Sequence, residues 1–483
     1  MDLGPVTEEY LSDEAAVPGQ ADAAGFPCTL AQVAEFMRQA ARTPVTVQGA
    51  RTGLCLGAAP RGGLALNLSR FNRVSRAAYE NENLNLTVEA GMTLAALQEL
   101  LQKGGGENIA EEAGPALAAY ASGKQKCFFP PNPTETSATL GGIVACNSAG
   151  GHMLAYGGLG NFVRELTVVL GNGEVIKARP GSAEDRLKAG FHPLGLHDAA
   201  LYIGSEGALG IIAEISLSFS PLPPQRHSLL CSFKDDGQMR SFQEALRQSR
   251  VMPRLMTLDY LDRESVDLVM AKKAEISSLR AAPDLDSAAC ACFLFLELAG
   301  PDEKRSLEDL ELILQLLEEA GADSEQVLAA GGEAERQRLE VLRHGVVKTA
   351  NLAHTAIYRA RHTLPPFFDL LVNPGQAGET LAWLRSLLPC PGAIFGHMGA
   401  GHIHLHLFPE NEAQDQAAQG FASRLAVFMG EKGIMPAAAF AAGARRRALL
   451  EDTLDDYKKM LRIKQELDPR HLMNRGCLFA SPI

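Results

Sequence analysis

An α+β fold in two lobes is what the sequence predicts, on three observations: a length beyond one core, short strand patterns between turn signals early on, and longer helices between single strands later. The 483 residues exceed the roughly 250–300 over which one hydrophobic core usually grows, so more than one domain is expected. Residues 1–40 read as an N-terminal arm ending in an amphipathic helix from about Thr29 to Ala40. Residues 41–224 read as a first α+β domain. VTVQG (45–49), LALNL (64–68) and LNLTVEAG (84–91) are strand-like, and TLAALQELLQKGG is a helix closed by glycine. In LTVVLGNGEVIKA (166–178), Asn172-Gly173 between apolar runs is a strong hairpin signal. GIIAEISLSFSPLP (210–223) then runs into prolines that mark a boundary.

Residues 225–430 read as a second domain. SLLCSF, a helix near Asp236 to Gln248, ACFLFLEL, a helix from Glu303 to Ala320, a helix from Ala334 to Leu352 and HIHLHLF suggest a βαβ-type sheet with helices on one face. Residues 431–483 read as a helical tail, and no internal repeat stands out.

Composition bounds the function. With 46% hydrophobic and 21% charged residues, the chain has the balance of an ordinary globular protein. A net charge of −12 without a basic stripe argues against nucleic acid as a partner, because phosphates must be neutralised. The nine cysteines form no CxxC pair, so no zinc knuckle or iron–sulfur motif is visible. The start, MDLGPVTEEYLSDEA, lacks the order of a secretory signal, and no stretch approaches the ~20 apolar residues of a transmembrane helix. A cytoplasmic location is expected, or a peripheral one through a partner.

Glycine is concentrated in three places. GARTGLCLGAAPRGG (49–63) is neither a P-loop nor a GxGxxG fingerprint, and alone it is equally a glycine-rich connection. Its density lets backbone N–H groups approach a pyrophosphate, with Thr52 as a further donor. FFPPNPTETSATLGGIVACNSAGGHMLAYGG (128–158) and IGSEGALGII (203–212) repeat the low-bulk pattern.

These segments, in this order and spacing, resemble the PCMH-type FAD-binding domain of the family containing vanillyl-alcohol oxidase, D-lactate dehydrogenase, the glycolate oxidase catalytic subunit and D-2-hydroxyglutarate dehydrogenase. The resemblance extends from YLSDEA to the closing LDPRHLMNRG. It implies a two-lobed FAD domain, a ferredoxin-like α/β substrate or cap domain, and a C-terminal helical segment returning to the FAD domain. It further implies that Gly49, Arg51, Thr52, Gly53 and Gly57 cradle the pyrophosphate. Pro131, Thr134, Thr139, Gly141, Gly142, Asn147, Ile211 and Asn474 would line FAD. Some relatives tether the flavin through a histidine in the first loop; residues 49–63 contain none, so a non-covalent cofactor is expected.

Four histidines lie in GHMGAGHIHLHL: His397, His402, His404 and His406. On a strand the last three share one face about 7 Å apart, close enough to hold a divalent metal or equally to form a polar face. The segment resembles the family's GHxGDxNxH motif, which implies His397 and His404 as ligands of zinc or manganese, although Ala400 and His402 stand where Asp and Asn are usual. The family completes its site with Ser-x-Glu-His-Gly-x-Gly. Here PAAAFAAGARRRALLE (436–451) places Ala439 and Phe440 at the Glu and His positions, and neither binds metal or accepts a proton. His402 is the nearest replacement base.

LEVLRHG (339–345) resembles the segment that supplies a cation for the substrate carboxylate, which nominates Arg343 against the alternative of a solvated helix charge. In YRARHTLPPFFDLL (358–371), Arg359 and Arg361 replace the family's Lys and Asp. The expected activity is FAD-dependent oxidation of a D-2-hydroxy acid. Electrons would pass to an electron-transfer flavoprotein, a quinone or an iron–sulfur subunit. The alternative is a flavin-binding subunit that has lost its base and serves as an electron relay or assembly partner.

Overall fold

The computed structural model describes residues 3–40, 42–181, 196–436, 442–445 and 457–480. Its contacts divide the chain into two compact units: Met1–Ala149, Gly158–Leu222 and Ala438–Ile483 form the first, and Gly150–Gly157 with Pro223–Ala437 the second. The expected mixed α+β class is borne out in both. Among the described residues no helix is long and apolar enough to cross a membrane.

The first unit opens with β1 (Ala23–Gly25), α1 (Leu30–Gln39), β2 (Val45–Gln48) and β3 (Leu64–Asn67), which make a parallel sheet in the order β1-β3-β2. Thr29 caps α1 by accepting the Gln32 amide, and Val33, Ala34, Phe36 and Met37 form its buried face. Then follow β4 (Val74–Glu80), β5 (Asn83–Glu89), α2 (Leu94–Lys103), α3 (Gly114–Ser122), β6 (Cys127–Phe128), α4 (Leu140–Ala145), β7 (Val163–Val169), β8 (Val175–Ala178), β9 (Ile211–Ser218) and β10 (Ser220–Pro221). Strands β4-β5-β9-β7-β8 form an antiparallel sheet, with Asn172-Gly173 at the β7–β8 turn and Gly173 at φ +80°. The core joins both sheets, because the α1 face packs with Leu66, Val169, Ile211 and Met473. Met473 also bridges Val45, so the chain's last described segment lies on the parallel sheet.

The second unit contains α5 (Met153–Tyr156), β11 (Gln225–Phe233), α6 (Asp236–Gln248), β12 (Leu255–Asp262), α7 (Arg263–Lys272), β13 (Cys292–Gly300), α8 (Glu303–Glu319), β14 (Leu328–Ala330) and α9 (Glu333–Arg361). It continues with β15 (Phe367–Leu371), α10 (Ala377–Ser386), β16 (Gly392–Gly396), β17 (His402–Leu407), α11 (Glu412–Lys432) and β18 (Met435–Pro436). The eight-stranded sheet runs β14-β11-β13-β12-β16-β17-β15-β18. This is two β-α-β-β-α-β sets, each in the strand order of a ferredoxin-like unit, joined where β12 pairs β16. The expected ferredoxin-like domain of βαβ type is borne out in split form, since every described pairing in the sheet is antiparallel. The strands flanking α6 and α10 are separated by β13 and β17, which turns each βαβ step into a split one.

Helix α9 also differs from expectation, running nine residues past Leu352 to Arg361 before His362 adopts φ +55°. Beyond Ala350 its only buried residue is His354, so the apolar period fades while the backbone helix continues. One face of the sheet forms the main core with α6, α8, α10 and α11, through Phe242, Ile313, Leu381 and Phe421 among others.

Candidate active site

In the first unit the three glycine-rich segments come to one place. A Cβ on Gly49 would lie 2.1 Å from Thr139 Oγ1, so the first loop passes against the N-cap of α4 with no room for a side chain. Thr139 Oγ1 accepts the Gly142 amide, and the Gly141 amide donates to the Ala90 carbonyl. At the other end of α4, Asn147 takes φ +47°, and the amides of Gly204 and Glu206 donate to Val144 and Ala145 carbonyls. Gly57 lies near Glu206, whose carboxylate accepts the Ala442 and Gly443 amides at 2.7 Å.

The individual candidates differ in what they offer. Gly53 is exposed, with no atom within 4 Å of where its Cβ would be, and Thr52 is half-buried. Arg51 holds φ +61°, with its guanidinium over the Tyr10 ring. Pro131 is buried and Thr134 half-buried between β6 and α4. The Ile211 side chain is fully buried in the apolar core, so only its backbone is available to a ligand. The Asn474 side chain is committed to the protein: Oδ1 accepts the Val47 amide at 2.7 Å and Nδ2 donates to the Glu206 carbonyl at 2.5 Å. Small residues, an open position at Gly53 and left-handed backbone at Arg51 and Asn147 fit a dinucleotide cradle.

In the second unit, strand periodicity sorts the polar residues. Ile403, Leu405 and Leu407 of β17 enter the core, so His402, His404 and His406 share the opposite face. Thr257, Asp259, Glu297 and Asp369 are buried polar residues on β12, β13 and β15. Asp259 is the hub. Its Oδ2 accepts Arg343 Nε at 2.5 Å and its Oδ1 accepts His397 Nδ1–H at 2.9 Å. Burial raises the Asp259 pKa, but the facing His397 and Arg343 outweigh it and hold it well below the usual carboxylate range.

Arg343 is 6% exposed, which overturns the solvated-helix alternative. Its Nη1 lies 3.2 Å from His344 Nε2, and burial followed by the Arg343 charge pushes His344 down to about 3, leaving it a neutral acceptor. Arg343 Nη2 and Thr257 Oγ1 are buried without a hydrogen-bond partner among the described residues. Both stand against Gly151, where a Cβ would be 2.2 Å from Nη2. The next residue, His152, meets Glu297 at 2.8 Å. Burial raises the Glu297 pKa, but His152, Arg226 and Arg343 bring it down to about 2.

The four histidines separate. His397 and His404 face each other, ring centroids 6.0 Å apart, and His404 Nδ1–H donates to Asp369 Oδ1 at 2.7 Å. His402 Nδ1 is buried with no partner among the described residues; burial and then His404 and His397 push its pKa down to about 4. His406 leaves the set, stacking on Phe367 at 5.3 Å with His354 at 4.9 Å.

A carboxylate on Nδ1 is the usual support of a metal-ligating imidazole. Among the described residues, however, no group of three His, Cys, Asp or Glu is placed to hold a metal. Residues 436–450 contain no such side chain to supply a third ligand. The described residues therefore do not complete the expected zinc or manganese centre. Ala439 and Phe440 lie outside the described residues. Arg361 is turned from this face, donating to the Pro409 carbonyl at 2.5 Å and to Asp415 at 3.2 Å.

Sequence reasoning missed Asp259, Asp369, Glu297 and His152. The carboxylates sit in the apolar runs MTLDYLD, FFDLL and FLELA, and one or two acidic residues among apolar neighbours were the only signal.

Residues 222–478 match the family described as FAD linked oxidases, C-terminal domain, and residues 21–109 with 112–179 match the FAD binding domain. D-lactate dehydrogenase of Anaerostipes hadrus is 26% identical, over 98% of this chain and 92% of the relative. Glycolate oxidase subunit GlcD of Bacillus subtilis is 28% identical, over 91% of this chain and 84% of the relative. D-2-hydroxyglutarate dehydrogenase of Xanthomonas citri pv. viticola is 27% identical, over 95% and 89%. A solved structure of alkyldihydroxyacetonephosphate synthase shares the fold, with TM-score 0.60 and 14% identity over 95% of this chain and 76% of that one.

Proposed function

The chain belongs to the FAD-linked oxidases and is an FAD-binding oxidoreductase, and from that premise we propose that it oxidises a small D-2-hydroxy acid of the lactate, glycolate or 2-hydroxyglutarate class to the 2-oxo acid. The observation that carries this reading is the single Asp259 carboxylate holding both a buried guanidinium and an imidazole. A 2-hydroxy acid presents an anion and a hydroxyl on adjacent carbons, and Arg343 and His397 answer those two groups.

Bound FAD supplies a two-electron acceptor for the substrate's hydride. Residues 49–57, Thr139, Gly141, Gly142 and Asn147 would hold the cofactor, and Pro131, Thr134 and the Ile211 backbone would line it; Asn474 would act by fixing the third loop. Arg343 binds the substrate carboxylate through Nη2, while Asp259 fixes the guanidinium and supports the cation's charge. His397 and His404, each oriented by a carboxylate, polarise the hydroxyl. His402 receives the hydroxyl proton at Nδ1, the buried ring nitrogen with no partner among the described residues. No step is routed through a metal, since no third ligand stands beside His397 and His404 among the described residues. The electron acceptor is an electron-transfer flavoprotein, a quinone or an iron–sulfur subunit. The relay alternative is not favoured by relatives that carry dehydrogenase and oxidase names.

The test is anaerobic mixing of the yellow protein with D-lactate, glycolate, D-2-hydroxyglutarate and D-malate, with and without added zinc or manganese. Bleaching of the flavin absorbance by one of them is expected. A flavin that none of the four reduces would return the relay to first place.

A further inference from the structure

The FAD binding domain match begins at residue 21, yet residues before it are bonded to both limbs of the first glycine-rich loop. On the first limb, the Glu14 amide donates to the carbonyls of Arg51 and Gly53, both at 3.1 Å. The Tyr10 ring lies 4.4 Å from the Arg51 guanidinium carbon. On the second limb, the Gln20 amide donates to the Pro60 carbonyl and the Gly62 amide returns a bond to Gln20, each at 2.8 Å. Gln48 Nε2 ties the two together, donating to Tyr10 and Ala58 carbonyls at 2.8 and 2.7 Å.

Asp13 is buried beneath this turn, its Oδ1 accepting the Ala15 amide at 3.1 Å. Burial raises it to about 6, opposed by the Ala15, Ala58 and Leu56 amides and by Arg445. The loop needs such support. Arg51 and Leu56 hold φ of 61° and 62°, conformations that side-chain-bearing residues rarely keep unless their surroundings fix them.

We infer that the N-terminal arm, residues 3–20, is part of the cofactor site: it clasps both limbs of loop 49–63 and holds the loop in the shape that receives a dinucleotide pyrophosphate. The inference rests on loop 49–57 being that cradle. Ordering the loop during folding removes the ordering cost from the binding step, so loosening the clasp weakens FAD without changing any group that touches it.

The experiment titrates FAD into full-length apoprotein, following flavin fluorescence, with far-UV circular dichroism giving the folded fraction. Gly19→Val breaks the clasp, because a Cβ there would lie 2.2 Å from the Pro60 carbonyl oxygen. Tyr10→Leu keeps an apolar side chain and removes the ring beneath Arg51. Thr52→Val alters the loop itself. FAD affinity per folded molecule should fall about tenfold in Gly19→Val and about threefold in Tyr10→Leu. Gly19→Val decides if it folds, and Tyr10→Leu decides otherwise. Unchanged affinity in the deciding variant, or a loss that follows the folded fraction alone, overturns the clasp. If Thr52→Val still weakens FAD, only the clasp falls; if it too leaves FAD unchanged, the cradle falls with it.

Discussion

The two ferredoxin-like halves of the second unit use one backbone plan for different chemistry. Their third strands compare directly. In β13, Cys292, Leu294, Leu296 and Leu298 enter the core, as Ile403, Leu405 and Leu407 do in β17. The opposite face of β13 carries Phe293, Phe295 and Glu297, while that of β17 carries His402, His404 and His406. The carboxylates of the first half bind groups from outside the sheet: Asp259 takes Arg343 of α9, and Glu297 takes His152 ahead of α5. The Asp369 carboxylate of the second half binds His404 on the neighbouring strand. The first half thus fixes a cation, the second presents imidazoles, and His397 bonded to Asp259 joins them.

Breaking the first half should have the largest effect. Asp259→Ala leaves the Arg343 guanidinium buried without its carboxylate, which costs about 3–5 kcal/mol. Urea unfolding followed through Trp383, the only tryptophan in the chain and stacked on Phe428, measures this in the second unit. A loss under about 1 kcal/mol would make the pair a surface-like one. Arg343→Lys keeps the charge and loses the planar fork; kcat/KM for the preferred acid should fall about 100-fold, mainly through KM, with a smaller urea shift.

Asp369→Asn sharpens the comparison from the other side. His404 loses its charged acceptor, and turnover should fall about tenfold with little change in KM. A KM effect as large as that of Arg343→Lys would mean that both halves bind the carboxylate. The smallest effect is the pH dependence of Glu297→Gln. Glu297 is held at about 2 against an ordinary 4.5, so its stabilisation is present above 4.5 and is lost as pH falls toward 2. The stability gap between the unchanged chain and Glu297→Gln should close across that window. A gap independent of pH would show that the carboxylate charge is not what His152 binds.

The duplication itself was not legible in the sequence, because a repeat of strand order needs only the same in–out pattern and not the same residues. Legible features were local. Thr29 and Thr93 each precede a helix and cap it, and Asn172-Gly173 makes its turn. The glycine segments that resemble a flavin cradle come together in the first unit. Hidden features were long-range. Asp259 pairs with residues 84 and 138 positions away, and His152 with one 145 positions away, so no window of sequence holds both partners. His152 was further disguised by its neighbours: Gly150–Gly157 continues a glycine-rich run of the first unit yet packs within the second.

By itself the sequence determined the α+β class, the FAD-linked family, and which histidines and arginine to examine, because backbone geometry, capping and small-residue loops are written in neighbouring residues. Only the tertiary structure decided that Arg343 is a buried ion held by Asp259, that His406 leaves the histidine set, and that the N-terminal arm closes over the first loop. Burial and partner choice depend on which distant segments a side chain meets, and those distances are set by the packed sheet.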